Sequence, residues 1–212
     1  MTRVPAAPDG ADPGTPPSVT RIRATALRLF AEQGTAATSL RTIAAAAGVS
    51  VGLVQHHFST KAGLIQAVDD HVLNVVRARL AEPAPAPSPD SVAETGRRVT
   101  ALIVEQPDVV NYLLDAVVDG RPVGTVIFDA LADLGAGRWG DLSDHGLTRP
   151  DLDLLWAALH PLILVLGTLV LRPHIDRRLP EPFGTPAQLK RWQDSVNALL
   201  REGQLRRGDP QD

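Results

Sequence analysis

Apolar residues recur every three or four positions along most of this chain, and that spacing predicts helices. Ile22, Ala26, Leu29 and Phe30 fall on one face of a first helix that is expected to end near Gly34. No stretch shows the strict alternation of apolar and polar residues that marks a half-buried strand. The sequence therefore predicts an all-α fold.

Eight further helices are predicted from the same spacing. They cover residues 39–46, 50–58, 61–80, 91–106, 107–118, 123–134, 150–172 and 186–205. Thr148 and Asp151 resemble a capping box at the start of the seventh of these helices, and Thr185 followed by Pro186 is a start signal for the last.

Two proline clusters lie outside these helices. They consist of Pro5, Pro8, Pro13, Pro16 and Pro17, and of Pro83, Pro85, Pro87 and Pro89. The first predicts a disordered arm at 1–17 and the second a stiff extended linker, while 207–212 are expected to form a disordered tail. The arm lacks the apolar core of a secretory signal, so we expect a cytoplasmic protein.

Charge and composition narrow the possible partners. Residues 18–61 carry five basic side chains and one acidic side chain, whereas residues 62–212 carry 15 basic and 21 acidic ones. This asymmetry predicts an anionic partner for the N-terminal part, with a chance patch as the alternative. The chain has no cysteine, which excludes disulfide scaffolds, thiolate zinc sites and cysteine nucleophiles.

Residues 39–61 contain two short predicted helices joined by a tight turn. Gly48 lies where the chain must turn sharply, and a positive φ is expected there because glycine adopts it without strain. Ala44 is small where the two helices would cross, and Ser50 is placed to cap the second helix. This pattern predicts a helix-turn-helix, whose second helix can enter the major groove of DNA.

The same segment resembles a known protein family. The runs 38–44 (TSLRTIA) and 47–50 (AGVS), the pair His57 and Phe58, and Lys61 look like the N-terminal signature of TetR-type (tetracycline-repressor-like) transcriptional regulators. With the preceding helix, the resemblance covers about residues 18–65. A fortuitous pair of helices is the alternative.

The resemblance implies an all-α homodimer with two functional parts. Residues 18–64 would form a three-helix DNA-binding head with the helix-turn-helix, and 65–206 a larger helical domain that binds a small-molecule effector and dimerises. The implied function is a repressor, not an enzyme, that binds a palindromic operator in double-stranded DNA and is released by its effector.

The resemblance also assigns DNA-contacting positions. The predicted set is Ser39, Arg41, Ser50, Val51, Gly52, Leu53, Gln55, His56, His57 and Lys61. Val51, Gly52 and Leu53 match positions that read base edges, and Lys61 matches one that grips phosphate. The apolar side chains favour thymine methyl groups, although core packing is the alternative for Val51. Gln55 departs from the tyrosine common at its position.

A second group of residues is predicted to contact the effector, because these polar and aromatic side chains interrupt aliphatic runs as ligand-pocket residues do. It consists of Asn111, Tyr112, Asp115, Phe128, Trp139, Trp156 and His160. A buried aromatic or a satisfied core histidine explains each of them equally well. Residues 105–153 hold ten acidic side chains and three arginines, which fits either a cationic effector or a solvated acidic surface.

Residues 154–171 are nearly all apolar and reach the lower length limit of a membrane-spanning helix. His160, Pro161 and Gly167 interrupt the run, which favours a helix buried against a partner subunit. With the last helix it would form a four-helix dimer interface. The predicted interface residues are Leu162, Val165, Leu166, Leu169, Leu189, Trp192, Val196 and Leu199. A membrane-associated helical adaptor without sequence-specific DNA binding is the alternative.

Two further patterns are interpreted as carrying no cofactor. Residues 135–140 (GAGRWG) fit G-x-G-x-x-G literally, but helical spacing precedes them, so a loop or broken helix is expected rather than a nucleotide site. His56 and His57 are adjacent on a helix and point about 100° apart, which disfavours a shared metal ion. No metal and no cofactor are predicted.

Overall fold

The structure, a computed structural model, describes residues 17–80, 86–88 and 90–205, without the side chain of Leu80. Within these ranges it contains ten helices, which confirms the predicted all-α fold. They are α1 (Ser18–Ala37), α2 (Leu40–Ala46), α3 (Val51–Phe58), α4 (Lys61–Leu80), α5 (Ser91–Glu105), α6 (Pro107–Val118), α7 (Pro122–Asp144), α8 (Leu154–Val170), α9 (Arg172–Asp176) and α10 (Pro186–Gln204). The predicted arm apart from Pro17, the predicted tail and most of the proline linker lie outside the described residues.

The chain divides into two compact units, and the division falls inside α4, between Val68 and Asp69. In the first unit, α1, α2 and α3 pack on one another around an apolar core. Its buried residues are Ile22, Ala26, Leu27, Leu29, Phe30, Ile43, Ala44, Ala47, Val54, Phe58, Leu64 and Val68. The four residues predicted for the inner face of α1, Ile22, Ala26, Leu29 and Phe30, are all among them, so the periodicity identified the core side of this helix.

Helix α1 is interrupted at Gly34, where it was expected to end. Gly34 has φ 79° and ψ 157°, a conformation that breaks the helix and favours glycine. The buried Thr38 donates its hydroxyl proton to the carbonyl oxygen of Gly34 at 2.9 Å, which satisfies a carbonyl left free by the break.

The second unit is built around α7, which packs on α6 and α8, while α5 packs on α10. One of its apolar clusters joins Trp139 and Leu142 of α7 to Ala157 and Ala158 of α8 and to Leu200 of α10. Small alanines at the crossing allow α7 and α8 to approach closely.

Two predicted boundaries in this unit are wrong. The loop or broken helix expected at residues 135–140 is a continuous part of α7. Gly135 lets this helix pass close to α8, since a Cβ on Gly135 would lie 3.3 Å from the Ala158 Cβ. Helix α8 begins at Leu154 rather than at residue 150. Its N-cap is Asp153, whose carboxylate accepts from the backbone N–H groups of Leu155 and Trp156 at 3.0 and 3.1 Å.

The apolar run at 154–171 forms α8, which has 17 residues and contains Pro161. In the part of the chain that the structure describes, no helix combines the length and the apolar character needed to cross a membrane.

Candidate nucleic-acid interface

The turn between α2 and α3 has the geometry that the sequence predicted. Gly48 has φ 65° and donates its backbone N–H to the carbonyl oxygen of Ala45 at 3.2 Å, and Val49 donates to Ala44 at 3.0 Å. These bonds close the C-terminal end of α2 while the chain reverses into α3. The expected positive φ at Gly48 is confirmed.

Serine side chains cap both helices of the motif. The Ser39 hydroxyl accepts from the backbone N–H of Thr42 at 3.0 Å, and the Ser50 hydroxyl accepts from that of Leu53 at 3.1 Å. Each cap satisfies one of the free N–H groups of a helix start. The predicted capping role of Ser50 is confirmed, and both hydroxyls lie in exposed residues.

Helix α3 has one buried side and one exposed side. Val54 and Phe58 are buried in the core, whereas Gly52 and Gln55 are exposed. His56 and His57 are exposed as well, and Val51 and Leu53 are half-buried. The residues expected to meet DNA therefore lie on the accessible side of α3, and the side chains that hold the helix in place lie on the other.

The first unit carries basic side chains on α1, α2 and the start of α4, and two of them are held by backbone carbonyl groups. Lys61 Nζ donates to the carbonyl oxygen of Ala36 at 3.1 Å, and Arg21 Nε donates to that of Ala47 at 3.0 Å. Arg41 is exposed. The only acidic side chain among residues 17–68 is Glu32, which forms an ion pair with Arg28 at 3.0 Å. The surface is therefore free to attract phosphates.

Gly63 was missed by the sequence analysis, although it fixes the junction between α3 and α4. A Cβ at this position would lie 2.2 Å from the carbonyl oxygen of Phe58. The Thr60 hydroxyl accepts from the Gly63 backbone N–H at 3.1 Å and so caps the start of α4. A threonine just before a helix start is a sequence signal for the cap. The close approach of the two backbones at Gly63 has no such signal in the sequence.

The second unit contains a cavity of about 500 Å³, lined by α5, α7, α8 and α10 with Arg79 of α4. Of the predicted effector residues, Trp139 lines it and the other six do not. Asn111 is exposed, and Phe128 is half-buried. Burial, the neighbouring Asp119 and an opposing effect of Arg121 leave the pKa of half-buried Asp115 raised.

The last two predicted effector residues lie on α8 outside the cavity. The rings of Trp156 and His160 stack with their centroids 5.7 Å apart, and both residues are exposed. The Gln204 side-chain amide lies 3.1 Å from His160 Nδ1. Their polar and aromatic character suggested a pocket, but the register of α8 directs them elsewhere.

The predicted interface residues are also divided by the fold. Leu162, Val165, Trp192 and Val196 line the cavity, and Leu189 is 2% exposed within its own chain. Leu166 and Leu169 are half-buried, while Leu199 is 59% exposed. The position of Leu189 differs from our expectation, because a side chain packed inside its own chain is not available to a partner.

A different set of α8 side chains is presented outward. Trp156, Ile163 and Val170 are exposed and follow one another every seven residues, with half-buried Leu159 and Leu166 between them. This 3–4 spacing is that of a seam that packs against another helix. The outward face of α8 is thus about one residue out of register with the predicted one.

Tyr112, which we expected to contact an effector, is instead the centre of a buried polar cluster. Its hydroxyl donates to Asp69 Oδ1 at 2.6 Å and accepts from Arg121 Nη1 at 3.0 Å. The Arg121 guanidinium also lies 4.5 Å from the centre of the Tyr112 ring. The cluster joins α4, α6 and the start of α7, and it uses the full hydrogen-bonding capacity of the phenol.

This cluster predicts a specific loss of stability at high pH. Burial, with the hydrogen bond to Asp69, raises the pKa of Tyr112 above its ordinary value of 10.0. Because only the unfolded chain ionises readily, the stabilising effect is complete below about pH 10 and falls by up to about 1.4 kcal/mol per pH unit above it. Urea unfolding followed by tryptophan fluorescence, from about pH 9 to about pH 11, should show this decline.

Tyr112→Phe supplies the control, because it removes the titrating group and keeps the ring. Its stability should decline less steeply over the same range, and equal slopes for the two proteins would contradict the prediction. Tyr112 is the only tyrosine of the chain, so tyrosinate absorbance in the folded protein reports its ionisation directly.

Comparison with known proteins agrees with the motif and the fold. Residues 22–68 match the family model described as bacterial regulatory proteins, tetR family. The chain is 41% identical over 96 residues to the HTH-type transcriptional repressor Rv3405c of Mycobacterium tuberculosis. That alignment covers 45% of this chain and 44% of the relative, so the chain spans just under half the length of that curated protein.

Solved structures share the fold over most of the chain. The ketosteroid transcriptional regulator KstR2 of Mycobacterium tuberculosis superposes with a TM-score of 0.70 at 19% identity, covering 91% of this chain and 97% of that one. AibR, solved in complex with isovaleryl coenzyme A and operator DNA, gives 0.66 at 18% identity, covering 86% and 97%. Residues 22–68 are therefore similar in sequence to the tetR family of bacterial regulatory proteins, and the chain shares the fold of these solved structures over about nine-tenths of its length.

Proposed function

We propose that this chain is a transcriptional repressor that binds a palindromic DNA operator as a homodimer and is released by a small-molecule effector. The observation that carries this proposal is the helix-turn-helix, with α3 anchored through Val54 and Phe58 and exposed at Gly52 and Gln55. The compared relatives are transcriptional regulators rather than enzymes. In this proposal residues 18–64 bind DNA, and residues 65–206 bind the effector and dimerise.

Contacts with DNA divide between α3 and the residues around it. Val51, Gly52 and Leu53 lie in the first turn of α3, which in a helix-turn-helix faces the base edges. Lys61 and Arg41 supply positive charge for phosphates, and the capped start of α2 supplies backbone N–H groups. Since the residues that would face the base edges are mainly apolar, DNA shape and phosphate contacts would provide much of the binding free energy.

Dimerisation would use the outward seam of α8, defined by Trp156, Leu159, Ile163, Leu166 and Val170. Exposed apolar side chains at this spacing are favourable when a second helix covers them. A two-fold arrangement would present two copies of α3 to successive major grooves, about 34–36 Å apart.

Release by an effector follows from this spacing requirement. A ligand that binds better to a conformation with another spacing shifts the population away from the DNA-binding one. The cavity in the second unit is the space available for such a ligand, and AibR was solved with both isovaleryl coenzyme A and operator DNA. The coupling free energy between effector binding and DNA binding that is expected of such switches is about 1–3 kcal/mol.

The proposed division of roles predicts different outcomes for two alanine variants. DNA fragments are first selected from a random pool, and a palindromic consensus is expected. Lys61→Ala should weaken binding to all sequences and lower the slope of log affinity against log salt by about 1. Val51→Ala should reduce discrimination at one base position by about 1 kcal/mol, with the salt slope unchanged. Fluorescence anisotropy at several salt concentrations measures both.

Arg28→Ala is a matched control for the loss of a positive charge in the first unit. Arg28 lies outside the predicted DNA-binding set and is already paired with Glu32, so its removal should leave the salt slope unchanged. If Lys61→Ala and Val51→Ala behaved alike, the assigned roles would be refuted. Selection that yields no consensus would refute the proposed function itself.

A further inference from the structure

The cavity of the second unit has a wall that is apolar over most of its surface. Its volume of about 500 Å³ lies within the range of about 300–1,000 Å³ that is usual for small-molecule sites. The lining includes the indole rings of Trp139 and Trp192. Its aliphatic lining residues are Val92, Val99, Leu102, Leu131, Leu134, Leu142, Leu162, Val165, Val196 and Leu200. Such a wall favours a ligand with a large apolar body.

The charged groups of the wall differ in their access to water. Asp133 and Asp141 are exposed, so solvent screens their charges. Arg138 is half-buried, and its Nε and Nη2 atoms are shielded from solvent. Of these three charged groups, the one most shielded from solvent is therefore the positive one.

A second arginine of the cavity wall is paired with a glutamate of its own helix. Arg98 also lines the cavity, and its Nε donates to Glu94 Oε1 at 3.0 Å. Burial lowers the pKa of Arg138; Asp141 partly offsets this effect, and repulsion from the nearby Arg98 adds to it. An anion at Arg138 would relieve both the repulsion and the cost of burial.

We propose that the cavity binds an apolar organic acid, with its hydrocarbon body among the valines, leucines and tryptophans and its carboxylate at Arg138. Arg98, which is paired with Glu94, lies on the same wall and is near enough to act electrostatically on Arg138. This assignment rests on the proposed function, because it names the chemical class of the effector. It also replaces the cationic effector that the acidic composition of residues 105–153 allowed.

The proposal is tested with two probes that share one hydrocarbon chain and differ in charge, dodecanoate and 1-dodecanol. Isothermal titration calorimetry on the full chain should show dodecanoate binding at least about tenfold more tightly, since hydrogen bonds to a charged group are stronger than neutral ones. Arg138→Met should remove this difference and leave the affinity for 1-dodecanol unchanged.

Two further variants separate the cavity from other surfaces. Val99→Trp, which fills the cavity from α5, should abolish binding of both probes. Val126→Asp, at an exposed site of α7 that does not line the cavity, should change neither affinity. Circular dichroism and tryptophan fluorescence check that each variant is folded.

Each outcome either supports or overturns the assignment. Equal affinities for the two probes would show that the carboxylate is not recognised. Binding that survives Val99→Trp would show that the cavity is not the binding site. A chain that binds its selected DNA but neither probe would refute this inference and leave the proposed function standing. A chain that binds dodecanoate as described but no DNA would refute the proposed function and leave the binding site standing.

Discussion

Replacing Gly63 with alanine should strongly destabilise the first unit and weaken DNA binding. The added Cβ would lie 2.2 Å from the Phe58 carbonyl oxygen, and this neighbour is backbone, which cannot rotate away as a side chain can. Relief requires moving the start of α4 away from the end of α3. Such a shift would also weaken the cap between the Thr60 hydroxyl and the Gly63 N–H.

The expected cost is large relative to the stability of a unit of this size. Overpacking at a rigid contact costs about 1–3 kcal/mol, and more where backbone must move. A unit of about 50 residues has on the order of 3–7 kcal/mol of stability. We therefore expect far-UV circular dichroism to show a clearly lower midpoint of thermal unfolding and anisotropy to show weaker binding of selected DNA.

The distribution of tryptophan allows the two units to be followed separately. All three tryptophans, Trp139, Trp156 and Trp192, lie in the second unit, so their fluorescence should remain that of the wild type. Gly52→Ala is the matched glycine-to-alanine control, because a Cβ there meets no atom closer than the Ser50 hydroxyl at 3.9 Å. That variant should keep its helix content. A Gly63→Ala protein with the thermal stability and DNA affinity of the wild type would contradict the geometry of the junction.

Local sequence predicted the helix-turn-helix because local interactions determine it. The turn depends on the φ of Gly48, and the start of α3 depends on the hydroxyl of Ser50, three residues before the N–H that it caps. Both are short-range requirements that a glycine and a serine at fixed spacing reveal. The apolar spacing of α1 similarly identified the side that packs against α2 and α3.

The cavity could not be predicted in this way, because it depends on how helices distant in sequence are rotated about their axes. Arg98 on α5 and Arg138 on α7 line one space, and periodicity does not state which face of one helix meets which face of another. The chemistry of Tyr112 predicted an effector contact, but its hydroxyl is hydrogen-bonded to Asp69 and Arg121.

The same reason explains why the sequence could not identify the outward face of α8. A helix that is apolar all round gives no contrast between its faces, so Leu162 and Val165 were as plausible at an interface as Ile163. The fold resolves this by directing Leu162 and Val165 into the cavity and leaving Ile163 exposed.

Replacing Ile163 with aspartate should therefore prevent dimerisation and, with it, tight DNA binding. Ile163 is 50% exposed in the single chain and lies at the centre of the α8 seam. In a two-fold dimer the seam meets itself, so Ile163→Asp would bury two like charges close together, which costs several kcal/mol. We expect the dimer dissociation constant to rise by at least about 100-fold, or about 3 kcal/mol. Sedimentation velocity over a range of protein concentrations distinguishes monomer from dimer by mass.

Val126→Asp is the matched control, because Val126 is also 50% exposed but lies on α7, away from the seam. It introduces the same charge at the same exposure and should leave both the dimer and DNA binding intact. DNA affinity of Ile163→Asp should fall with the dimer, since a single chain contacts only one half-site. If Ile163→Asp stayed dimeric, the seam of α8 would not be the interface; if it became monomeric and bound palindromic DNA unchanged, two-fold binding would be refuted.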